Sequence, residues 1–199
     1  MAPTVLIGPG LRDHVPAHWQ TLLAAQLPRV RSVPPMGRTG AGLDRAARVA
    51  AIEREAQAIA GPLVLVAHSA GCAAVAHWGR HTRRAVQGAL LATPPELDQP
   101  MPPGYPPLQA LQHGGWLPVP MAPLPFPCIV AASRNDPLAR FEQVARMAQA
   151  WGARLADLGP VGHLNPASGH GAWPDAQAFI AELSNSTGHT HHGQSHPLL

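Results

Sequence analysis

Ser69, Asp136 and His163 have the side-chain types, and the order along the chain, needed for nucleophilic acyl transfer. A serine hydroxyl is a weak nucleophile until a base takes its proton. That base in turn needs an acid to fix its tautomer and stabilise its charge. Ser69 is the strongest signal of the three. The apolar run Leu63-Val64-Leu65-Val66 leads into Ala67-His68-Ser69-Ala70-Gly71-Cys72. This is an A-x-S-x-G form of the nucleophile elbow, where a serine sits on a strained strand-to-helix turn flanked by small residues at two positions before and two after. Ala73, Ala74 and Ala76 then give the next helix a slim face that can lie close to a sheet. The competing reading is a buried strand followed by a serine that merely caps a helix.

Asp136 and His163 each follow a segment expected to be a strand. In an open parallel sheet the carboxyl ends of all strands face one crevice, so residues just after strands are the ones able to meet. The order serine, aspartate, histidine is that of α/β-hydrolases rather than of the other convergent serine triads. Alternatives stand beside each assignment. Asp136, before Pro137, could simply cap its helix. Asp157 falls within an expected strand, and Asp98 lies in a proline-rich stretch; both are weaker acids for the role. His68 adjoins Ser69, but the sharp turn separates their side chains and makes it a supporting group. His77 and His81 lie on or just past the elbow helix and read as structural or surface groups. His163 could be a solvated loop residue, and His170 is the next candidate base. The oxyanion of a tetrahedral intermediate needs backbone donors, each worth roughly 3 kcal/mol. The N–H groups of Ala70, just after the nucleophile, and of Leu11, after Gly8-Pro9-Gly10, are assigned to it.

The elements that must position these groups follow from periodicity and punctuation. Strands are expected at Thr4-Val5-Leu6-Ile7, at Arg29 to Val33, at the run before Ser69, at Ala85 to Ala92, at Cys128 to Ala132 and at Arg154 to Leu158. Helices are expected from Pro16 or Ala17 to Leu27, through Val49, Ile52, Ala56 and Ile59, after Ser69, from Phe141 to Trp151, and from about Pro174 to Leu183. Such alternation with near-continuous apolar strands predicts an α/β fold, a mostly parallel sheet of about six strands covered by helices on both faces. Residues 94–127 break the pattern, holding 12 of the chain's 24 prolines. Tyr105, Leu108, Leu111, Trp116, Leu117 and Phe126 are too apolar for a tether. The stretch therefore reads as an excursion packed over the domain, holding a short helix near Leu108 and walling a substrate pocket.

Composition narrows the remaining choices. With 199 residues and 46% apolar content, the expectation is one domain over 1–183, followed by a polar tail over 184–199 with His189, His191, His192 and His196. Weak metal capture by that tail is set against a solvated tail, since four histidines on a flexible segment lack defined geometry. No run approaches the roughly 20 apolar residues of a membrane span. The N-terminal residues do not read as a leader, and Cys72 and Cys128 read as buried thiols; both point to a cytoplasmic protein. Net charge is +3, yet all 14 basic residues are scattered arginines, which is no nucleic-acid footprint.

Pro9-Gly10-Leu11 with His18-Trp19-Gln20, the elbow, Asn135-Asp136-Pro137, and Gly162-His163-Leu164-Asn165 with Ser168-Gly169 and Gly171-Ala172-Trp173-Pro174 together resemble the YdeN family of small serine hydrolases. The resemblance covers roughly residues 4–183, and its last block is the most specific. It implies a compact α/β-hydrolase without a large cap domain, with Ser69, Asp136 and His163 as the triad and small carboxyl-ester-type substrates. Family members often carry a tryptophan-containing segment after the second strand, where this chain has Pro35-Met36-Gly37-Arg38-Thr39-Gly40. The function expected is hydrolysis of a small ester, thioester or amide through an acyl-serine, with no cofactor and no metal. Acyl transfer to an acceptor other than water, or a binding protein on a hydrolase fold, are the alternatives.

Overall fold

The computed structural model describes residues 1–37 and 40–185. Six strands form within it: β1 (Thr4–Gly8), β2 (Val30–Ser32), β3 (Leu63–His68), β4 (Gly88–Ala92), β5 (Cys128–Ala132) and β6 (Arg154–Asp157). They make one sheet in the order β2-β1-β3-β4-β5-β6, and every pair is parallel. Because successive side chains point to opposite faces, a strand buried on both sides must be apolar throughout. This explains why β3, β4 and β5 read as continuous hydrophobic runs.

Helices cover both faces: α1 (Trp19–Gln26), α2 (Arg45–Gln57), α3 (Ala70–Gly79), α4 (Leu108–His113), α5 (Phe141–Trp151) and α6 (Asp175–Asn185). Ile52, Ala56, Val75, Trp78, Val144 and Trp151 of α2, α3 and α5 pack with Leu65, Leu91 and Val130 in one core layer. Trp19, Leu23, Ala176, Ile180 and Leu183 of α1 and α6 pack with Val64, Val66, Leu90 and Ile129 in the other. Asp44 caps α2 by accepting from Ala46 N–H at 2.7 Å. Gly152, in left-handed conformation at φ 68°, ends α5.

Several boundaries differ from the sequence-based expectation, α2 for one ending at Gln57, before Ile59; at three of them local hydrogen bonds give the reason. Helix α1 begins at Trp19 rather than Pro16 or Ala17, because residues 15–18 close a turn through His18 N–H to Val15 C=O and His18 stays extended as the cap. Strand β4 begins at Gly88 rather than Ala85; Arg84 straps the preceding segment to the end of α2 through the carbonyls of Ala56, Ile59 and Gly61. Helix α6 runs through Ser184 and Asn185, the first two residues of the expected tail. The hydroxyl of Ser184 donates to Ile180 C=O one turn back, a local bond that lets a polar residue continue a helix. The histidines at 189, 191, 192 and 196 lie outside the described residues.

Between β1 and β3 the chain reverses its direction of progress across the sheet. From β1 it goes to β2 on one side and then returns to the other side of β1 with β3. The crevice outside the carboxyl ends of these strands is where open α/β sheets bind ligands. Ser69 immediately follows β3 there, and Gly10 and Leu11 follow β1. The proline-rich stretch folds back over this end, anchored by Trp116 Nε1–H to Leu43 C=O at 2.8 Å and by Trp151 Nε1–H to Pro120 C=O at 2.7 Å. Among the described residues, no helix is long and apolar enough to cross a membrane.

Candidate active site

Ser69 adopts φ 55°, ψ −133°, a conformation that non-glycine residues rarely enter. Its neighbours explain how the turn is tolerated. Ala67 is opposite Gly8 in the β1–β3 register, and a Cβ on Gly8 would be 3.7 Å from that of Ala67. That is an ordinary contact, so the Gly8–Ala67 pair is small but not tight. Gly71 has no such latitude: a Cβ there would lie 2.7 Å from Gly8 C=O oxygen and 2.8 Å from that of Pro9. The helix after Ser69 thus touches the backbone of the loop after β1.

The structure brings the three sequence-selected side chains into one hydrogen-bonded chain. Ser69 Oγ is 2.8 Å from His163 Nε2, and His163 Nδ1 is 2.8 Å from Asp136 Oδ2 and 3.1 Å from Oδ1. Both His163 and Asp136 are buried, with side chains 3% and 1% exposed. A carboxylate only accepts, so Nδ1 carries the proton and Nε2 is left to accept from the serine hydroxyl. Asp136 also accepts from Leu138 N–H at 2.9 Å. It closes a local turn as well as meeting the histidine, while the cap of α5 is Arg140. The rival acids lie elsewhere: Asp157 pairs with Arg134, which lowers its carboxyl pKa, and Asp98 is exposed.

Two residues that the sequence reading did not weigh hold the histidine loop. Val161 N–H donates to Ser133 Oγ at 3.2 Å, and Gly162 N–H donates to Asn135 Oδ1 at 2.6 Å. The Ser133 hydroxyl in turn donates to Asn135 Oδ1 at 3.0 Å. The segment that carries Asp136 therefore also grips the backbone just before His163. Small polar residues around an aspartate immediately after a strand were the available signal. On the far side of His163, Asn165 and Ser168 form a reciprocal cap, and Gly162 is at φ 59° with its Cα 's open side filled by the Ser168 side chain. The G-H-L-N…S-G block thus describes one interlocked turn.

His68 and His18 extend a row of imidazoles away from His163. Ring centroids are 4.8 Å apart for His163 and His68, and 4.5 Å for His68 and His18. His68 Nε2–H donates to His163 C=O at 2.9 Å, and burial, reinforced by the neighbouring His163, pushes its pKa well below the ordinary value. His18 Nδ1 accepts from Gln20 N–H at 3.2 Å; burial pushes its pKa down to about 4. Gln20 reaches across to the ends of β1 and β3, donating to Gly8 C=O and Val66 C=O, each at 3.1 Å. His77 bonds the Trp116 carbonyl and ties α3 to the proline-rich stretch.

The loop after β1 is held by a second buried node. Arg48 donates to Gly42 C=O at 2.6 Å, Gly37 C=O at 2.9 Å and Gly10 C=O at 3.4 Å, and pairs with Asp13 at 3.4 Å. Asp13, at φ 54°, also accepts from Met36 and Gly37 N–H. The segment after β2, through Met36 and Gly37, is thereby drawn into this node. A Cβ on Gly10 would come within 3.1 Å of Ser69 Cβ, so the node sets how closely this loop approaches the serine. As first residue of α3, Ala70 has no intrahelical acceptor for its N–H. Leu11 N–H has no backbone partner among the described residues.

Above Ser69 opens a cavity of about 580 Å³ bordered by Leu11, Ala70 and His163, with Leu97, Met101 and Leu111 from the proline-rich stretch in its wall. A family model described as Serine hydrolase matches residues 5–182. The chain belongs to the serine hydrolase family. Its fold is that of the α/β-hydrolases, and a YdeN-like hydrolase from Pectobacterium atrosepticum is 30% identical, with 92% of this chain and 91% of that chain covered and a TM-score of 0.77. The ydeN gene product of Bacillus subtilis is 20% identical over 91% of this serine hydrolase family member and 98% of its own chain, TM-score 0.70. Est1E from Butyrivibrio proteoclasticus, a structure with bound ferulic acid, shares the fold at 12% identity and TM-score 0.65, covering 92% and 86% of the two chains. No curated protein matches the chain.

Proposed function

We propose that this protein cleaves small carboxyl esters, or the related thioesters and amides, through an acyl-serine intermediate. The observation that carries the reading is the unbroken hydrogen-bond chain Ser69–His163–Asp136 at the floor of an apolar cavity. His163 Nε2 takes the hydroxyl proton as Ser69 Oγ attacks the carbonyl carbon. Asp136 keeps the other ring nitrogen protonated and stabilises the imidazolium. The N–H groups of Ala70 and Leu11 donate to the oxyanion. Collapse of the tetrahedral species breaks the ester bond, and the imidazolium gives its proton to the departing oxygen. Water, deprotonated by the same nitrogen, then attacks the acyl-serine, and the carboxylic acid leaves. The walls suit an apolar acyl or leaving group, because burying apolar surface contributes about 25 cal/mol per Å².

A fluorophosphonate probe and a short 4-nitrophenyl ester test this. The parent should be labelled and turn over the ester, whereas Ser69→Ala should lose labelling and fall toward background, since a triad serine is worth up to about a millionfold. Equal turnover by parent and Ser69→Ala would overturn the reading.

A further inference from the structure

Arg12 lies next to the proposed oxyanion donor Leu11 and borders the same cavity as Ser69. Its guanidinium carbon is 4.9 Å from the ring centroid of Tyr105, the chain's sole tyrosine and itself part of the cavity wall. Gly104, at φ 89°, turns the chain beside this pair, its Cα facing Arg12 Nη2. A planar guanidinium lying on an aromatic ring is pre-organised, so it loses less freedom when it binds a partner.

Arg12 is exposed. Among the described residues it takes part in no ion pair. Among the described residues the one carboxylate that borders the cavity, Asp13, is engaged by Arg48 and by two backbone N–H groups. His18 and His68 are held neutral by burial. Glu96, next to the wall residues Pro95 and Leu97, is bound by Arg140. What remains is a cation without an ion-pair partner among the described residues, at the edge of a mostly apolar cavity. A neutral ester makes no use of it.

Building on the reading of Ser69 as nucleophile, we propose that the substrates are esters carrying an anionic group, a carboxylate or a phosphate, which binds the Arg12 guanidinium while their apolar part fills the cavity. Arg12 is then a specificity-determining residue. The anion is recognised by charge-assisted hydrogen bonds, which are about twice as strong as neutral ones. It also draws the substrate in at low ionic strength.

The test compares kcat/KM for matched pairs. One set is the mono-4-nitrophenyl esters of adipate, suberate and sebacate against the 4-nitrophenyl alkanoates of equal length. The other is 4-hexanoyloxybenzoate against phenyl hexanoate, which places the anion on the leaving group. In the parent at least one anionic member should be preferred. That preference should shrink with added salt, fall at least tenfold in Arg12→Gln, and be partly kept in Arg12→Lys. An anionic-to-neutral ratio unchanged by Arg12→Gln in every pair would overturn the inference, including the case where all rates fall together because the Tyr105 stretch has shifted. NMR-detected binding of monomethyl suberate to the Ser69→Ala protein reads the same site without turnover and should weaken at least tenfold with Arg12→Gln; an unchanged affinity likewise overturns it. Failure of the hydrolase reading would look different, as turnover that does not need Ser69.

Discussion

Replacing Asp136 by asparagine changes two oxygens into an oxygen and an amide, and the surroundings dictate which goes where. Oδ1 accepts from Leu138 N–H at 2.9 Å, while Oδ2 faces His163 Nδ1 at 2.8 Å. In Asp136→Asn the amide oxygen would keep the Leu138 contact, and the NH2 group would then point at Nδ1. Reversing the amide sets two donors against each other at Leu138 in a buried position, at a cost of about 1–3 kcal/mol. The ring is therefore driven to the tautomer with the proton on Nε2, where it cannot accept from Ser69. By itself that preference is a factor of about 5 to 150. Loss of the negative charge beside the imidazolium adds to it, and a comparable substitution elsewhere lowered turnover about ten thousandfold, equivalent to about 5.5 kcal/mol of barrier.

The assay is kcat and KM for a 4-nitrophenyl ester, with thermal unfolding as a control for folding. Turnover should drop by several orders of magnitude, KM should change little, and the melting transition should survive. Asp157→Asn and Asp98→Asn should be mild. If Asp136→Asn kept more than a tenth of the parent's turnover while one of the other two lost it, Asp136 would be only a turn residue and the acid would be misplaced. If His163→Ala kept the parent's rate, the base would lie elsewhere, and His170 would be next to change.

Removing the Asn135 acceptor with Asn135→Ala leaves the buried Gly162 N–H unpaired, so kcat should fall about tenfold or more with KM nearly constant, consistent with a cost of about 1–3 kcal/mol; steady-state kinetics decide this. Gly71→Ala puts a methyl group 2.7 Å from the Gly8 carbonyl oxygen and should cost at least about 1–3 kcal/mol of stability, as overpacking does, measured by urea unfolding. Acid should weaken the fold through His18. Its pKa falls from the ordinary 6.5 to about 4 on folding, so above pH 6.5 both states are neutral and nothing is lost. Between pH 6.5 and 4 the unfolded chain binds the proton and the folded one does not. Stability should therefore fall across that window by up to roughly 3 kcal/mol, with His68 acting in the same direction. Unfolding curves at pH 7.5 and 4.5 measure this, and His18→Asn should flatten the difference.

The elbow was legible because Ser69 directly follows an apolar strand, and Asp136 and His163 because each stands in the loop that leaves the carboxyl end of a strand. Parallel strands bring such positions to one edge whatever the details of packing. The supports were harder to read. Arg48 and Asp13 are 35 residues apart and meet only because the loop after β1 folds onto α2, so no periodicity marks them. Ser133 and Asn135 act on the backbone of residues 161 and 162, and a side chain that bonds backbone leaves no partner residue to recognise. The missed boundaries share a cause as well. Val15, Arg84 and Ser184 direct the chain through hydrogen bonds with carbonyls or N–H groups, which compete with the local preferences of the prolines, alanines and polar residues beside them.

The row His163, His68, His18 shows how one fold gives three identical side chains different duties. A base that must become an imidazolium gains from a nearby carboxylate and loses from any nearby positive charge. Of the three, His163 alone touches a carboxylate. His68, with its ring centroid 4.8 Å away, would oppose protonation of the base if it were charged itself. Its partner is instead a carbonyl oxygen, which needs only one ring N–H, and its complete burial disfavours a second proton. His18 accepts a backbone N–H, a role open only to a ring nitrogen without a proton. The neutral neighbours thus keep a tightly packed, hydrogen-bonded floor beneath the proposed base without adding a charge that would compete with it. Replacing His68 by arginine or lysine would reverse that condition even if the volume were accommodated.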